Sequence, residues 1–560
     1  MAEGRNERAE KKPPRRRGHP LPASLLVSLL TAIAAAAEPA SPPLTAGLDA
    51  VVASLDPLDP LPLPVAMPLP GPEPVAMPPP PAAPQTHPLR NEAPLTARWR
   101  NGLELISPAG DFRLHIGGRA QADASGFTAG PGPNQPPDQG GLNPPVAGAV
   151  NMRRGRVRTE FQMYEFYEFA AEYDFVNQLN AWNEVYPQLT GVGPNAAVKD
   201  LYLQVGDLPV LGTVRIGNQK DPYGLEHLTD SRWLEFMERS YSMDAFEGPF
   251  NDGYLPGVQL SDSAADGRVA WYLGEFANVT NPFGFTASSG GSVTVGRLVI
   301  LPIFEDEGRR LLHLGVAGRT MQPQRRQLGY DAATGAISGP TVPAVRFRSR
   351  GSVRNGPPGP LNSIYADSGL LIGEWQNMLG LELAASRGPF SVQGEYFGSW
   401  LYDARTPSLA ADGFENGPAN AGLQPPPGTP LGTVFYQGGY LEAIWFLTGE
   451  TRTYLLEGSR FGRPIPRRNF YRVRDQPRNA ASASGGAWQA GVRYNYLCLN
   501  DGEVDGGVLN GMTFGLIWLL NPQARLYFNY DFTARDYVNL VGDDASGNIH
   551  AFGTRLAFDF

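Results

Sequence analysis

The chain has 560 residues, 18% of them charged, together with 66 glycines, 54 prolines and an aromatic content of 10%. Its single cysteine, Cys498, excludes an intramolecular disulfide and any cysteine-based metal site. The formal net charge of −9 argues against nucleic-acid binding. Abundant aromatic residues, glycine and proline instead favour a chain of many strands joined by turns.

The first 37 residues have the pattern of a secretory signal peptide. Seven basic residues and three glutamates precede the apolar run LPASLLVSLLTAIAAAA, and small residues prepare cleavage near Ala37. This run is short for a permanent membrane helix, and no later apolar stretch reaches spanning length. The mature protein is therefore expected to enter a membrane as a β-barrel or not at all.

Residues 38–98 are rich in proline and alanine, and the pentapeptide PVAMP occurs at 64–68 and again at 74–78. Such a composition cannot bury a core and favours extended polyproline geometry. We expect a disordered periplasmic spacer that contacts the cell wall. A merely solvated tail is the alternative.

A period-two pattern begins at Phe112. In FRLHIGGRAQADASG, Phe112 and Leu114 share the apolar face, whereas Arg113 and His115 share the polar face. The last ten residues, AFGTRLAFDF, repeat this alternation and end on an aromatic residue. A soluble sandwich alternates too, but its strands are shorter and its polar faces less uniformly charged. The pattern favours strands with an apolar outer face and a charged inner face.

The alternation predicts sixteen strands. They lie at 112–127, 151–163, 168–176, 199–206, 213–219, 255–262, 268–276, 293–302, 309–321, 368–384, 389–401, 435–448, 486–499, 510–520, 524–536 and 548–560. Short turns alternate with long loops, as bacterial outer-membrane barrels require. The segment 449–485 breaks this order, since it occupies a turn position and is far too long. Either the strand register slips there or the segment folds into the lumen.

Several separated motifs resemble the phosphate-selective porin O and P family. The longest is GNQKDPYGLEHLTDSRWLEFMERSYSMDAF at 217–246. The others are NMRRGRVRTEF at 151–161, VKDLYLQVG at 198–206, VGRLVILP at 295–302, LLHLG at 311–315, GLELAASRGPFSVQGEYF at 380–397, FLTGETRTY at 446–454 and AWQAGVRYNYL at 487–497. In order, these pieces span residues from about 112 to the C-terminus.

The resemblance implies an all-β, sixteen-stranded antiparallel transmembrane barrel at 99–560, usually a trimer. It also implies that the third long loop, here about 220–254, folds inward as a constriction loop, and that 449–485 enters the barrel. In well-known members, lysines and arginines at the constriction bind phosphate or polyphosphate. Lys220 matches the lysine that precedes the family's Pro-aromatic-Gly turn.

Nine basic residues are the candidates for lining the pore. Arg154, Arg156 and Arg158 recur at period two, which places three guanidiniums on one face of a strand as a ladder for anions. The alternative is that these arginines pair with carboxylates of the lumen such as Glu160. The remaining candidates are Arg119, Arg215 and Arg319, each of which could instead form a salt bridge in the wall, and Lys220, Arg232 and Arg239 of the loop.

The loop also carries features that argue against a dedicated phosphate site. Its carboxylates outnumber its cations: they are Asp221, Glu226, Asp230, Glu235, Glu238, Asp244, Glu247 and Asp252. Its large side chains recur at helical spacing and predict a short helix pinned to the wall, namely Trp233, Phe236, Met237 and Tyr241. Further arginines lie in the loop at 346–354 and in the segment 449–485.

No enzyme signature is present, because the six histidines are scattered, none of them pairs at metal-ligand spacing, and no serine nucleophile motif occurs. The sequence predicts a passive channel of the outer membrane for small hydrophilic anions such as phosphate, without cofactor or metal. Two alternatives stay open: a weakly selective or cation-preferring general porin, and a surface anchor or receptor. The expected partners are outer-membrane lipid, lipopolysaccharide, small anions and two further copies of the chain, with no nucleic acid.

Overall fold

The computed structural model describes residues 94–136, 139–142, 145–178, 197–247, 253–279, 291–330, 337–354, 362–408, 425–470, 485–538 and 543–560. The expected signal peptide, and the expected spacer up to residue 93, lie outside the described residues. No helix within these ranges is long and apolar enough to cross a membrane.

The described chain is almost entirely strand. The strands are β1 (Thr96–Trp99), β2 (Leu103–Ile106), β3 (Phe112–Ala129), β4 (Ala149–Met163), β5 (Tyr167–Asp174), β6 (Val198–Leu208), β7 (Gly212–Lys220), β8 (Tyr254–Ala264), β9 (Val269–Asn278), β10 (Gly291–Glu305), β11 (Arg310–Met321), β12 (Arg325–Tyr330), β13 (Ile337–Arg350), β14 (Ile364–Ile372), β15 (Trp375–Arg387), β16 (Phe390–Arg405), β17 (Pro430–Phe446), β18 (Tyr454–Leu455), β19 (Arg460–Phe461), β20 (Ala487–Asp501), β21 (Val504–Asn521), β22 (Ala524–Asp536) and β23 (Gly547–Asp559). The helices are α1 (Phe175–Gln178), α2 (Leu225–Leu228) and α3 (Tyr241–Phe246), with a 3₁₀ turn at Asp306–Gly308.

Sixteen strands close into an antiparallel barrel. They are β3–β11, β15–β17 and β20–β23, and each pairs with the next wall strand along the chain. Closure comes from β23 against β3, from Ile549 opposite Ala129 to Asp559 opposite Arg119. A closed barrel has no free edge, which satisfies every strand backbone in hydrocarbon. The predicted sixteen-stranded antiparallel barrel is confirmed.

The strand β23 shows which face of the wall points inward. Phe552 and Phe558 are 59% and 48% exposed, whereas Arg555 and Asp559 are 1% and 3% exposed. The outward face is therefore apolar and faces lipid, and the charged face is turned into the barrel, as the alternation predicted.

Two parts of the sheet differ from the prediction. The expected loop at 322–367 contains β12, β13 and the first four residues of β14. Strands β13 and β14 form a hairpin in which Arg346 Nε donates to Asp367 Oδ1 over 2.8 Å. This hairpin takes up residues up to Ile372, so the wall strand expected at 368–384 is β15 instead. Strand β21 also begins six residues earlier than expected, because β20 and β21 are joined by residues 502–503 alone.

The loop between β7 and β8, residues 221–253, folds into the barrel, and its carboxylates reach arginines on distant parts of the wall. These pairs are Asp230 with Arg119 of β3, Glu226 with Arg493 of β20, and Glu247 with Arg319 of β11. The loop therefore crosses the lumen, and the inward-folded constriction loop is confirmed. Residues 248–252 of the loop, which include Asp252, lie outside the described residues.

The helical spacing of the loop's large side chains predicted the wrong backbone. Residues 231–240 form turns and bends, and α3 begins only at Tyr241, after the Ser240 hydroxyl accepts a hydrogen bond from the Met243 amide. In a helix, Glu235 and Glu238 would lie on the same face. Because the backbone is not helical here, Glu235 pairs with Arg452 and Glu238 pairs with Arg153. The predicted packing of these side chains against the wall is present: Phe236 packs on Gly515 and Tyr241 packs on Gly511.

The described part of the segment 449–485 also lies inside the barrel. It forms the small hairpin β18–β19, and Arg452 pairs with Glu235 of the constriction loop. The Tyr454 hydroxyl forms a hydrogen bond of 2.8 Å with Nδ1 of His313 in the wall. The lumen-entering alternative is therefore the one the fold adopts as far as the end of β19 at Phe461. Residues 471–484, with Arg472 and Arg474, lie outside the described residues.

Candidate functional site

A cavity of about 920 Å³ lies between the wall, the constriction loop and the β18–β19 hairpin. Fourteen of the lining residues are lysine or arginine, and eleven are aspartate or glutamate. The lining includes eight of the nine predicted residues: Arg119, Arg154, Arg156, Arg158, Arg215, Lys220, Arg232 and Arg239. The structure thus brings eight residues that were predicted from separate parts of the sequence to one cavity.

The arginine ladder on β4 lies on the inner face, and each of its members has a carboxylate partner. Arg154 Nη2 is 3.1 Å from Glu238, and Arg156 Nε is 2.7 Å from Asp174. Arg158 Nε is 2.6 Å from Glu160, the residue named beforehand as an alternative partner. The geometry of the ladder is therefore present, but its charge is compensated.

The three single wall arginines differ in their surroundings. Arg119 is 2.8 Å from Glu172 and also pairs with the loop, and Arg319 binds Asp221 and Glu247 at the base of the loop, outside the cavity lining. Arg215 instead stacks over the Tyr202 ring, 4.2 Å from its centroid, and donates to the Gln204 side chain. Arg119 and Arg319 therefore form salt bridges that hold the loop to the wall.

The acidic residues of the loop are neutralised by the wall. Glu238 contacts Arg153 at 2.8 Å and Arg555 at 2.6 Å, besides Arg154 and Arg354. Burial by itself raises the pKa of Glu238, but the arginines around it outweigh burial and hold the pKa of this carboxyl well below its usual range. The excess of carboxylates in the loop thus compensates arginines elsewhere and does not make the lumen acidic.

Three cations converge on the backbone of the loop at the end of α2. Lys220 Nζ donates to the His227 carbonyl, Arg239 Nη2 donates to the Thr229 carbonyl over 2.8 Å, and Arg460 Nη1 donates to the Leu228 carbonyl over 3.3 Å. No described carboxylate forms an ion pair with any of the three. Carbonyls at a helix C-terminus hold cations without neutralising them. We call Lys220, Arg239 and Arg460 the loop cation cluster.

The remaining loop cation, Arg232, is held by its neighbour Asp230, 2.9 Å from the guanidinium. It also lies over the Trp233 ring, 4.9 Å from its centroid. Trp233 therefore lines the cavity together with a compensated arginine.

Sequence reasoning missed Arg153 and Arg460. A β-bulge in β4, opposite Gln121 and Ala122, turns both Arg153 and Arg154 inward, at 5% and 4% exposure. The adjacent arginines were a usable signal, because strict alternation would have turned one of them toward lipid. Arg460 sits in the β18–β19 hairpin, and only the tertiary fold brings it to the loop.

The other arginine groups have structural partners. Arg346 pairs with Asp367 and Arg350 with Asp244, so this stretch is part of the folded interior. Arg463 pairs with Asp559 near the end of the chain and lines the cavity. Arg467 and Arg468 are exposed.

One group of described residues has the spacing of metal ligands, although no metal site was predicted. Asp221, His227 and Glu247 present ligand atoms within 4.8 Å of one another. The residues are separated by up to 26 positions in the sequence, and His227 has no partner histidine nearby. A search for local metal motifs therefore does not find them.

The sequence matches known proteins over most of its length. The family profile described as phosphate-selective porin O and P matches residues 115–560. Porin O of Pseudomonas aeruginosa is 24% identical over 488 residues, which cover 82% of this chain and 91% of that protein. An uncharacterized protein of Caulobacter vibrioides is 28% identical over 359 residues, 62% of this chain and 59% of that protein.

Solved structures with a similar course include a loop deletion form of OmpT, an outer membrane protein of Vibrio cholerae, with a TM-score of 0.42 and 10% identity over 80% of this chain and 100% of that one. An anion-selective porin from Comamonas acidovorans has a TM-score of 0.40, also with 10% identity and with the same coverage of the two chains.

The family match covers the barrel except for the first three residues of β3, and it runs from His115 to Phe560. Its fold is that of a channel, closed against lipid and charged within. The chain therefore belongs to the phosphate-selective porin O and P family, and it is a channel of the bacterial outer membrane.

Proposed function

We propose that this channel passively conducts small hydrophilic anions such as phosphate. The observation that carries the proposal is the loop cation cluster, in which Lys220, Arg239 and Arg460 line the cavity and donate to backbone carbonyls, with no described carboxylate paired to them. An anion that enters can replace water at these groups with charge-assisted hydrogen bonds. The description of the matching family as phosphate-selective supports the same class of solute for this channel.

The proposed pore lining consists of the nine residues predicted from the sequence together with Arg460, in four roles. The loop cation cluster binds the anion, and Arg215, which contacts the uncharged side chains of Gln204 and Tyr202, extends the positive surface along the wall. Arg119, Arg154, Arg156, Arg158 and Arg232 form the compensated wall of the cavity. Arg319 fixes the base of the loop.

A weakly selective or cation-preferring porin is the second candidate, and the acidic loop favours it. The pairing of the loop carboxylates with wall arginines weighs against it, because paired charges attract mobile ions less. An anchor or receptor is the third candidate, and the proline-rich arm favours it. The proposal involves no enzymatic step, and it includes a signal peptide at 1–37, a spacer at 38–98, contact with lipopolysaccharide, and a homotrimer.

The test is the reversal potential of the purified protein in a planar bilayer under a salt gradient, followed by titration with phosphate. We expect anion selectivity and block of the chloride current by phosphate. Each hydrogen bond to a charged group contributes about 1.5–3 kcal/mol, so K220Q or R239Q should weaken the block about tenfold or more.

Arg468→Gln is the matched control for Arg460→Gln, because both arginines lie in the segment 449–485 but Arg468 is exposed. We expect R460Q to weaken phosphate block and R468Q to leave it unchanged. Cation preference without phosphate block would overturn the anion proposal in favour of the general porin. Folded protein without any current would favour the anchor.

A further inference from the structure

Three buried polar side chains meet at the base of the constriction loop. Asp221 directly follows β7, His227 belongs to α2 and Glu247 directly follows α3; they are 0%, 2% and 3% exposed. In each, one atom has no hydrogen-bond partner: Asp221 Oδ1, His227 Nε2 and Glu247 Oε2. Asp221 Oδ1 and His227 Nε2 contact each other only at 3.4 Å, and the three residues present ligand atoms within 4.8 Å of one another. Buried polar atoms without a hydrogen bond are costly, and a cluster of such groups has a reason to bind an ion.

The remaining oxygens of the two carboxylates are fixed by one arginine. Arg319 Nη1 donates to Asp221 Oδ2 over 3.0 Å and to Glu247 Oε1 over 2.6 Å. Each carboxylate therefore uses one oxygen for Arg319 and leaves the other for a second partner. This division is typical of ligating carboxylates, whose outer oxygens are held by hydrogen-bond donors.

We propose that Asp221, His227 and Glu247 bind one divalent transition-metal ion, with Zn²⁺ the best fit. One imidazole nitrogen and two carboxylate oxygens form a donor set that suits zinc better than calcium, which takes six to eight oxygen ligands. Asp221 Oδ1 and His227 Nε2 are 3.4 Å apart. Two donors about 2.1 Å from one tetrahedral zinc ion lie about this far apart.

A second buried histidine of the barrel, His313, differs from His227 in the hydrogen bonds of its ring nitrogens. His313 is also buried and also lies beside a glutamate and an arginine, Glu382 and Arg297. Both of its ring nitrogens have partners, Tyr454 Oη at 2.8 Å and Glu382 Oε2 at 3.0 Å. His313 therefore has no nitrogen left for an ion, whereas His227 has one.

The position of the site gives the ion a structural role. Asp221 is the first residue of the loop, and Glu247 is the last described residue before position 253. One ion bound by both and by His227 would connect the two ends of this part of the loop to α2. Lys220 and Arg239 approach His227 only through its backbone carbonyl, on the side of the residue that does not ligate. The metal would hold the constriction loop in the lumen, a role independent of which solute passes.

The test uses the full-length protein, purified without an affinity tag and stripped with a chelator. We expect isothermal titration with Zn²⁺ to give one ion per chain, and zinc to raise the thermal unfolding temperature in detergent. We expect Ca²⁺ at the same concentration to do neither. H227Q and E247Q should each weaken zinc binding at least tenfold, while H313Q, the matched control, should bind zinc like the original protein.

Folding of each variant is checked by the heat-dependent shift of the barrel on electrophoresis. Should H227Q fail to fold, the original protein and E247Q still decide the question. Absence of stoichiometric zinc binding, binding that E247Q leaves unchanged, or binding of calcium in place of zinc would each overturn the proposal. None of these readouts depends on ion selectivity, so the metal site and the anion channel can fail separately.

Discussion

Glu238 gathers four guanidinium groups around one carboxylate at the centre of the barrel. Arg153, Arg154 and Arg555 are 2.8, 3.1 and 2.6 Å from it, and Arg354 is 3.7 Å from it. The carboxylate is 2% exposed, so water cannot replace it as a partner. Glu238 is therefore the loop carboxylate with the most arginine partners, and one of them, Arg154, belongs to the ladder.

We expect Glu238→Gln to destabilise the protein by about 3–5 kcal/mol, because removing one partner of a buried ion pair leaves uncompensated charge behind. The measurement is the denaturant midpoint of unfolding in detergent or lipid vesicles. Glu457→Gln is the control, since Glu457 also lines the cavity but is exposed. A midpoint for E238Q equal to that of E457Q would show that the four arginines find other partners.

At the scale of elements, the constriction loop fits the barrel because the wall carries glycine where the loop is bulkiest. A Cβ atom at Gly511 would lie 2.3 Å from the Tyr241 hydroxyl, and one at Gly515 would lie 3.0 Å from the Phe236 ring. These inward positions have no room for a side chain. The loop and the wall strands β20–β23 are therefore matched in shape as well as charge.

We expect Gly511→Val to displace the loop from the wall, since overpacking of this kind costs about 1–3 kcal/mol. Single-channel conductance should rise, because the loop would then narrow the lumen less. Gly318→Ala is the control, as a Cβ atom there meets nothing within 4 Å. Adding Tyr241→Ala to G511V should restore the loop; if conductance stays low in G511V alone, the packing argument is wrong.

At the scale of the whole molecule, the barrel is one closed unit. Strand β23 completes the ring against β3, and the hairpin β1–β2 extends it, with Leu103 opposite Ile116 of β3. Strand β1 crosses the expected boundary at residue 98.

We expect deletion of residues 38–92 to leave pore conductance and ion selectivity unchanged, because the barrel closes without them. The measurement is the single-channel current of the shortened protein, with its assembly and heat-dependent electrophoretic shift as controls. Loss of current from a correctly folded barrel would mean that the proline-rich arm takes part in conduction. Loss of cell-wall association with an intact pore would support the tether.

The sequence alone was sufficient for the barrel and for five arginines of the wall that line the cavity, since both depend on period-two alternation. These arginines are Arg119, Arg154, Arg156, Arg158 and Arg215. A strand in lipid must turn its apolar residues outward, so Arg154, Arg156 and Arg158 had to point inward wherever the strand lay. The same logic located all sixteen wall strands. It could not foresee the hairpin β13–β14, because its alternating arginines also fit an extended loop.

Charge pairing and metal spacing were decided only by the tertiary structure. Contacts between residues distant in the chain decide which arginines compensate Glu238, how Arg460 reaches the loop, and how Asp221, His227 and Glu247 meet. Alternation constrains the face of each residue but not its partner across the lumen. The sequence thus determined the wall of this protein, and the folding of the loop and the β18–β19 hairpin into that wall determined the electrostatics of its interior.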